Sequence, residues 1–202
     1  MKRILLAAIL GGIAMFVWSS IAHIALPLGK TGIKEIPNEQ AVLNPMQTQL
    51  GGTSGFYAFP GVGLGPNPTR AEESAAMQQY EQKLAANPSG ILIYHPPGAK
   101  ALTPGQLITE FLTEMAEALL LAWLLAQTRL ATLASRMGFV IIAAVMAAIT
   151  TNIPYWNWYG FPSNYTVAYM SIEFVGYLVA GVVIASVLKM ETAASRTLAA
   201  AA

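Results

Sequence analysis

The chain has 202 residues, 55% of them apolar and 10% charged, with a mean hydropathy of +0.52. That balance departs from an ordinary soluble domain and points to a membrane. A formal charge of +1 without a basic cluster removes nucleic acid from the expected partners. The lack of cysteine removes disulfides, thiolate metal sites, iron–sulfur clusters and thiol nucleophiles.

Residues 1–27 form the first expected transmembrane helix, with an apolar run that begins at Ile4 behind Lys2 and Arg3. The run exceeds the ~7–15 residues of a signal-peptide core, and no small-x-small cleavage site follows it. A retained anchor is therefore expected. Residues 28–103 are rich in Gly and Pro. Within them Thr69-Arg-Ala-Glu72 has the pattern of a capping box opening a helix to Ala86, where Asn87-Pro88 ends it. Residues 55–59 and 91–94 read as short strands followed by proline turns, and Pro37-Asn38-Glu39 can start another short helix. A strand–helix–strand unit of this size is small to stand alone. It is expected to rest on the outer ends of the bundle as a lid.

Thr103-Pro104-Gly105-Gln106 opens the second span, 104–127, with Thr103 at the N-cap, Pro104 at N1 and Gln106 completing a capping box. The third span is read at 137–154, the fourth at 166–188, and 189–202 as a cytoplasmic tail. Lys2, Arg3, Arg129, Arg136, Lys189 and Arg196 lie in short flanks on one side. The positive-inside rule then puts both termini in the cytoplasm and residues 28–103 outside. Tyr155, Trp156, Trp158, Tyr159 and Phe161 crowd the short outer loop as an aromatic belt, while Trp123 lies near the inner end of the second span. Small residues at Ala8/Gly12, at Gly176/Ala180 and along Ala143, Ala144, Ala147 and Ala148 favour close helix approach. The expected fold is an all-α integral membrane protein, a four-helix transmembrane bundle with a small external (periplasmic) α/β-like insertion between spans 1 and 2. An Ala-rich, cysteine-free chain of this kind suits a bacterial inner membrane.

All ten acidic residues are Glu, and four of them fall inside apolar runs. Glu110, Glu114 and Glu117, spaced i, i+4, i+7, project from one face of the second span, and Glu173 interrupts the fourth. Ionisable groups at such positions face a bundle interior, a cavity or a partner. His23, with Ser19 and Ser20 one turn deeper, sits at the outer end of the first span. Asn152 sits at the outer end of the third, and Tyr169 and Tyr177 flank Glu173 at i±4. Every span thus offers polar groups to the outer half of the bundle, whereas the inner half is apolar, clearest over 119–125. The candidate ligand- or proton-binding residues are His23, Glu110, Glu114, Glu117, Asn152, Tyr169 and Glu173.

A divalent metal would find its ligands among His23, Glu110, Glu173 and His95, a set chemically suited to Zn, Mn or non-haem Fe. The Glu-x-x-His motif of di-iron bundles does not occur. Gly61-x-Gly63-x-Gly65 leads into Pro66-Asn67-Pro68, a turn-rich loop and not a phosphate cradle. Ser19 or Ser20 beside His23 has no Asp to complete a hydrolytic triad. The favoured reading is an outward-facing polar cavity that binds a cation, a proton or a small amphiphile. Behind it stand a non-catalytic accessory or assembly subunit, whose Glu face meets partner subunits or a second copy, and then a metal-assisted membrane enzyme.

Overall fold

The computed structural model describes residues 1–188; the expected cytoplasmic tail, 189–202, lies outside the described residues together with Lys189 and Arg196. The chain divides into two compact units. One comprises Met1–Ile33 and the chain from Leu102 onward, and the other Lys34–Ala101.

The first unit is built from long helices. Helix α1, Lys2–Ser20, continues into a π-helical turn at Ile21–Ala25 and a 3-10 turn at Pro27–Lys30. Helices α4 (Pro104–Gln127), α5 (Leu133–Tyr159) and α6 (Ser163–Val187) complete it. Three stretches, Lys2–Ala25, Leu133–Tyr159 and Ser163–Val187, are long and apolar enough to cross a membrane. That points to an integral membrane protein. Helix α4 is of similar length, at 24 residues, but carries three glutamates.

The start of α4 is fixed locally. Thr103 accepts from the Gln106 backbone N–H at 3.3 Å, and the Gln106 side chain accepts from the Thr103 N–H at 2.7 Å. Helix α5 runs beyond the expected end at Pro154. A proline lacks only its own N–H, so the later residues still find carbonyl partners, and the helix ends at Gly160 in the left-handed region, φ 70°. Tyr155, Trp156, Trp158 and Tyr159, expected in a loop, therefore lie on the last helical turns.

Helix α1 packs between α4 and α6, and α5 lies against the other side of α6. Gly12 sets the first of these approaches. A Cβ at that position would overlap the Met115 sulfur and lie 3.0 Å from the Met115 Cα. We expect Gly12→Val to separate α1 from α4 and cost about 1–3 kcal/mol, read as a lower thermal midpoint.

A dry core occupies the end of this unit where α1 begins and α6 ends. It is formed by Ala7 and Ala8 of α1, Leu121, Ala122 and Leu125 of α4, Val140 of α5, and Ala180 and Ile184 of α6. Outward faces are also apolar, as Leu112, Leu120, Trp123 and Leu124 show on α4 and Ile142, Val145 and Met146 on α5. Helices apolar on every side need an apolar surrounding.

Arg136, in the first turn of α5, is buried at the same end. Its guanidinium donates to the carbonyls of Ala185 at 2.7 Å and Leu188 at 2.6 Å, and its Nε to that of Leu130 at 3.1 Å. The first two are among the last carbonyls of α6, which have no partner within their own helix and carry its negative dipole end.

The second unit contains α2 (Gln40–Leu50), β1 (Gly55–Phe59), α3 (Arg70–Ala86) and β2 (Gly90–Tyr94). The two strands pair antiparallel, Gly55 opposite Tyr94 and Phe59 opposite Gly90. Tyr94 is buried, and its hydroxyl donates to the Gly51 carbonyl at 2.9 Å, tying β2 to the end of α2. Thr69 caps α3. Its backbone N–H donates to the Glu72 carboxylate at 2.7 Å and its hydroxyl at 2.8 Å, and these bonds hold the Glu72 carboxyl below its ordinary range. A depressed carboxyl contributes stability at neutral pH that is lost as pH falls through the lowered value. An NMR titration should therefore place the Glu72 midpoint below that of an unperturbed glutamate. Thr69→Ala should return it upward and cost about 1 kcal/mol of helix stability.

Candidate functional site

At the end of the bundle opposite the dry core, α1, α4 and α6 part around a cavity of about 310 Å³. The helical repeat of α4 brings Glu110, Glu114 and Glu117 onto its wall, α6 adds Tyr169 and Glu173, and α1 with its π turn adds Ser19 and His23. Six of the seven residues singled out from the sequence thus line one space. The seventh, Asn152, stands behind it. It is buried, and its Nδ2 donates to Glu173 Oε2 at 2.9 Å and to the Ala148 carbonyl at 2.9 Å. Asn152→Leu leaves that carboxylate oxygen without its donor. It should cost about 1–3 kcal/mol, measured by thermal unfolding in lipid nanodiscs.

His95 is exposed in the second unit, directly after β2. Among the described residues no group of three or more His and Glu side chains is arranged to hold a metal ion. His23, Glu110 and Glu173 line the same cavity, but their donor atoms do not converge on one point as metal ligands must.

The glutamates differ in surroundings. Glu173 has Asn152, and Glu117 faces the Tyr177 hydroxyl. Glu110 is exposed. Glu114 is only 6% exposed; Ser19 hydrogen-bonds its carboxylate, but its Oε2 has no hydrogen-bond partner. A buried carboxylate oxygen without a donor is costly unless a proton or a cation meets it. Glu114 is also one of the residues that line the cavity.

His23 is positioned by the π turn. Its Nδ1 donates to the Ser19 carbonyl at 2.9 Å, since a carbonyl only accepts. Gly29 closes against the other side of the ring, where a Cβ would overlap Cδ2. Tyr169 meets the ring edge-on, with centroids 5.9 Å apart, and Tyr165 stacks on Tyr169 at 4.3 Å. Phe161 and Tyr155 extend this aromatic row to the end of α5. Short π segments inside helices often accompany functional sites.

Sequence reasoning passed over Trp18, Met15 and Thr113, which also line the cavity. Trp18 Nε1 donates to the Ile172 carbonyl at 2.9 Å and pins α1 to α6 beside Glu173. Following the helical face back from His23 through Ser19 to Met15 would have found this wall; attention to polar residues alone did not. Comparison of the chain with protein-family models, with curated proteins and with solved structures finds no match.

Proposed function

We propose that the four long helices form a four-helix transmembrane bundle, with both termini cytoplasmic, in a bacterial inner membrane. In this reading the bundle presents an outward-facing polar cavity that binds a cation. The observation that carries the reading is Glu114, buried on the cavity wall with one carboxylate oxygen unpartnered. A protein surrounded by lipid has little reason to hold four glutamates at one end of an apolar bundle unless positive charge meets them there. The lipid-suited outer face of α4 supports its being the fourth span, since Leu112, Leu120 and Leu124 are exposed along it. Short basic flanks at Lys2, Arg3, Arg129 and Arg136 support the orientation. The dry core at the opposite end argues for a site open to one side only, and not for a pore.

The test is thermal unfolding of the full chain in nanodiscs, with sodium, magnesium or methylammonium added in turn. Binding to the folded state raises the midpoint with concentration. The reading expects a saturable rise with at least one cation in the native protein and none in Glu114→Gln. A rise of equal size in both would remove Glu114 from the site, and no rise with any cation would end the reading.

A further inference from the structure

A second cavity, of about 360 Å³, adjoins the first between α1 and the start of α4. Ser19, His23 and Glu110 line both, so the two spaces share a wall of polar side chains. Beyond that wall the lining is mostly apolar, from Phe16, Ile24, Leu102 and Leu107, with Ser20 and Gln106 beside them. Phe16 is held edge-on against Phe111 at 5.3 Å, which gives this compartment a fixed aromatic side.

The form of the anionic compartment narrows what cation it suits. A metal ion held by protein needs several donors within about 2.0–2.6 Å of one point. The carboxylates here are instead spread around about 310 Å³, and no three His or Glu side chains are grouped for a metal among the described residues. At about 30 Å³ per water, that space far exceeds a single small ion. A compact organic cation fits the arrangement better. The N–H donors of an ammonium point in different directions and reach separate carboxylates.

We propose that the two cavities form one amphipathic site for a primary amine with a short apolar tail. The ammonium lies by Glu114 within reach of Glu110, and the tail passes His23 into the compartment of Phe16, Ile24 and Leu107. The inference rests on the cation-binding reading above and adds the chemical class of the ligand. It also assigns Ile24 and Leu107 a role that lipid contact alone would not give them.

The test is isothermal titration of the full chain in nanodiscs with the n-alkylammonium series from methyl to hexyl, and with the matching n-alkanols as controls for partition into lipid. Burial of each methylene in an apolar compartment tightens binding by about three- to fourfold. The expected result is that gain along the ammonium series in the native protein and no saturable binding of the alkanols. Ile24→Gln and Leu107→Gln should each weaken hexylammonium at least tenfold more than methylammonium. Both positions are exposed, at 86% and 46%, so the substitutions leave the helix packing in place. Methylammonium binding that does not tighten with chain length, or a gain per methylene that persists in both variants, overturns the tail site and leaves the cation-binding reading standing. Alkanols that saturate like the ammonium ions overturn it too, because the head charge would then play no part. Failure of every cation, metal or ammonium, to bind the native protein removes the cation reading and this inference together.

Discussion

Arg136→Met should destabilise the protein by roughly 3 kcal/mol or more, the largest loss among the substitutions considered. Hydrogen bonds to a charged donor contribute about 1.5–3 kcal/mol each, and removing the donor leaves buried acceptors unmet. Here the acceptors are the Ala185, Leu188 and Leu130 carbonyls, which join the end of α6, the start of α5 and the loop that leaves α4. Methionine keeps most of the apolar stem, so the loss reports the guanidinium itself. Arg136→Lys should recover only part of the stability, because one ammonium cannot span carbonyls that the planar fork reaches together. Denaturant or thermal unfolding in nanodiscs checks both. A methionine variant as stable as the native protein would show that the carbonyls find water instead.

Glu114→Met should do the opposite to stability while abolishing cation binding. The native side chain is 6% exposed with an unpartnered Oε2. Ser19, which hydrogen-bonds it, is only half-buried on the cavity wall, so an apolar group of similar volume removes a desolvation cost that the Ser19 bond offsets only in part. A gain of about 1–3 kcal/mol is expected in the absence of cation. The two effects together separate a binding role from a structural one. A carboxylate that held α4 to α1 would, on replacement, lower the midpoint. Glu173→Met differs: Asn152 donates to Glu173, and loss of that acceptor leaves the buried amide with only the Ala148 carbonyl for its N–H groups, which should lower stability.

The parts of this arrangement that local chemistry dictates were legible in the sequence. The Thr103–Gln106 capping box fixes where α4 starts, and the helical repeat then puts Glu110, Glu114 and Glu117 on one wall. The Thr69–Glu72 box did the same for α3. What stayed hidden depends on partners far along the chain. Arg136 reads as a flanking charge of the positive-inside kind, because nothing near it in sequence marks the carbonyls 49 and 52 residues away that bury it. The π turn at Ile21–Ala25 leaves no composition signal, since Ile, Ala and His do not distinguish a π from an α turn. Pro154 invited an early end to α5, but only its own backbone donor is missing, and Gly160 is the residue that stops the helix. The apolar compartment beside Glu110 escaped notice because Ile24 looks like any lipid-facing residue, and Leu102 and Leu107 fit a hydrophobic staple at the start of α4.

Infrared difference spectroscopy of the protein in nanodiscs, perfused alternately with and without methylammonium, reads the carboxyl groups themselves. The account predicts a reproducible change in the carboxyl bands when the ammonium ion enters, and loss of that change in Glu114→Gln. Bands that are identical with and without the cation, or a difference spectrum that survives in Glu114→Gln, would contradict it.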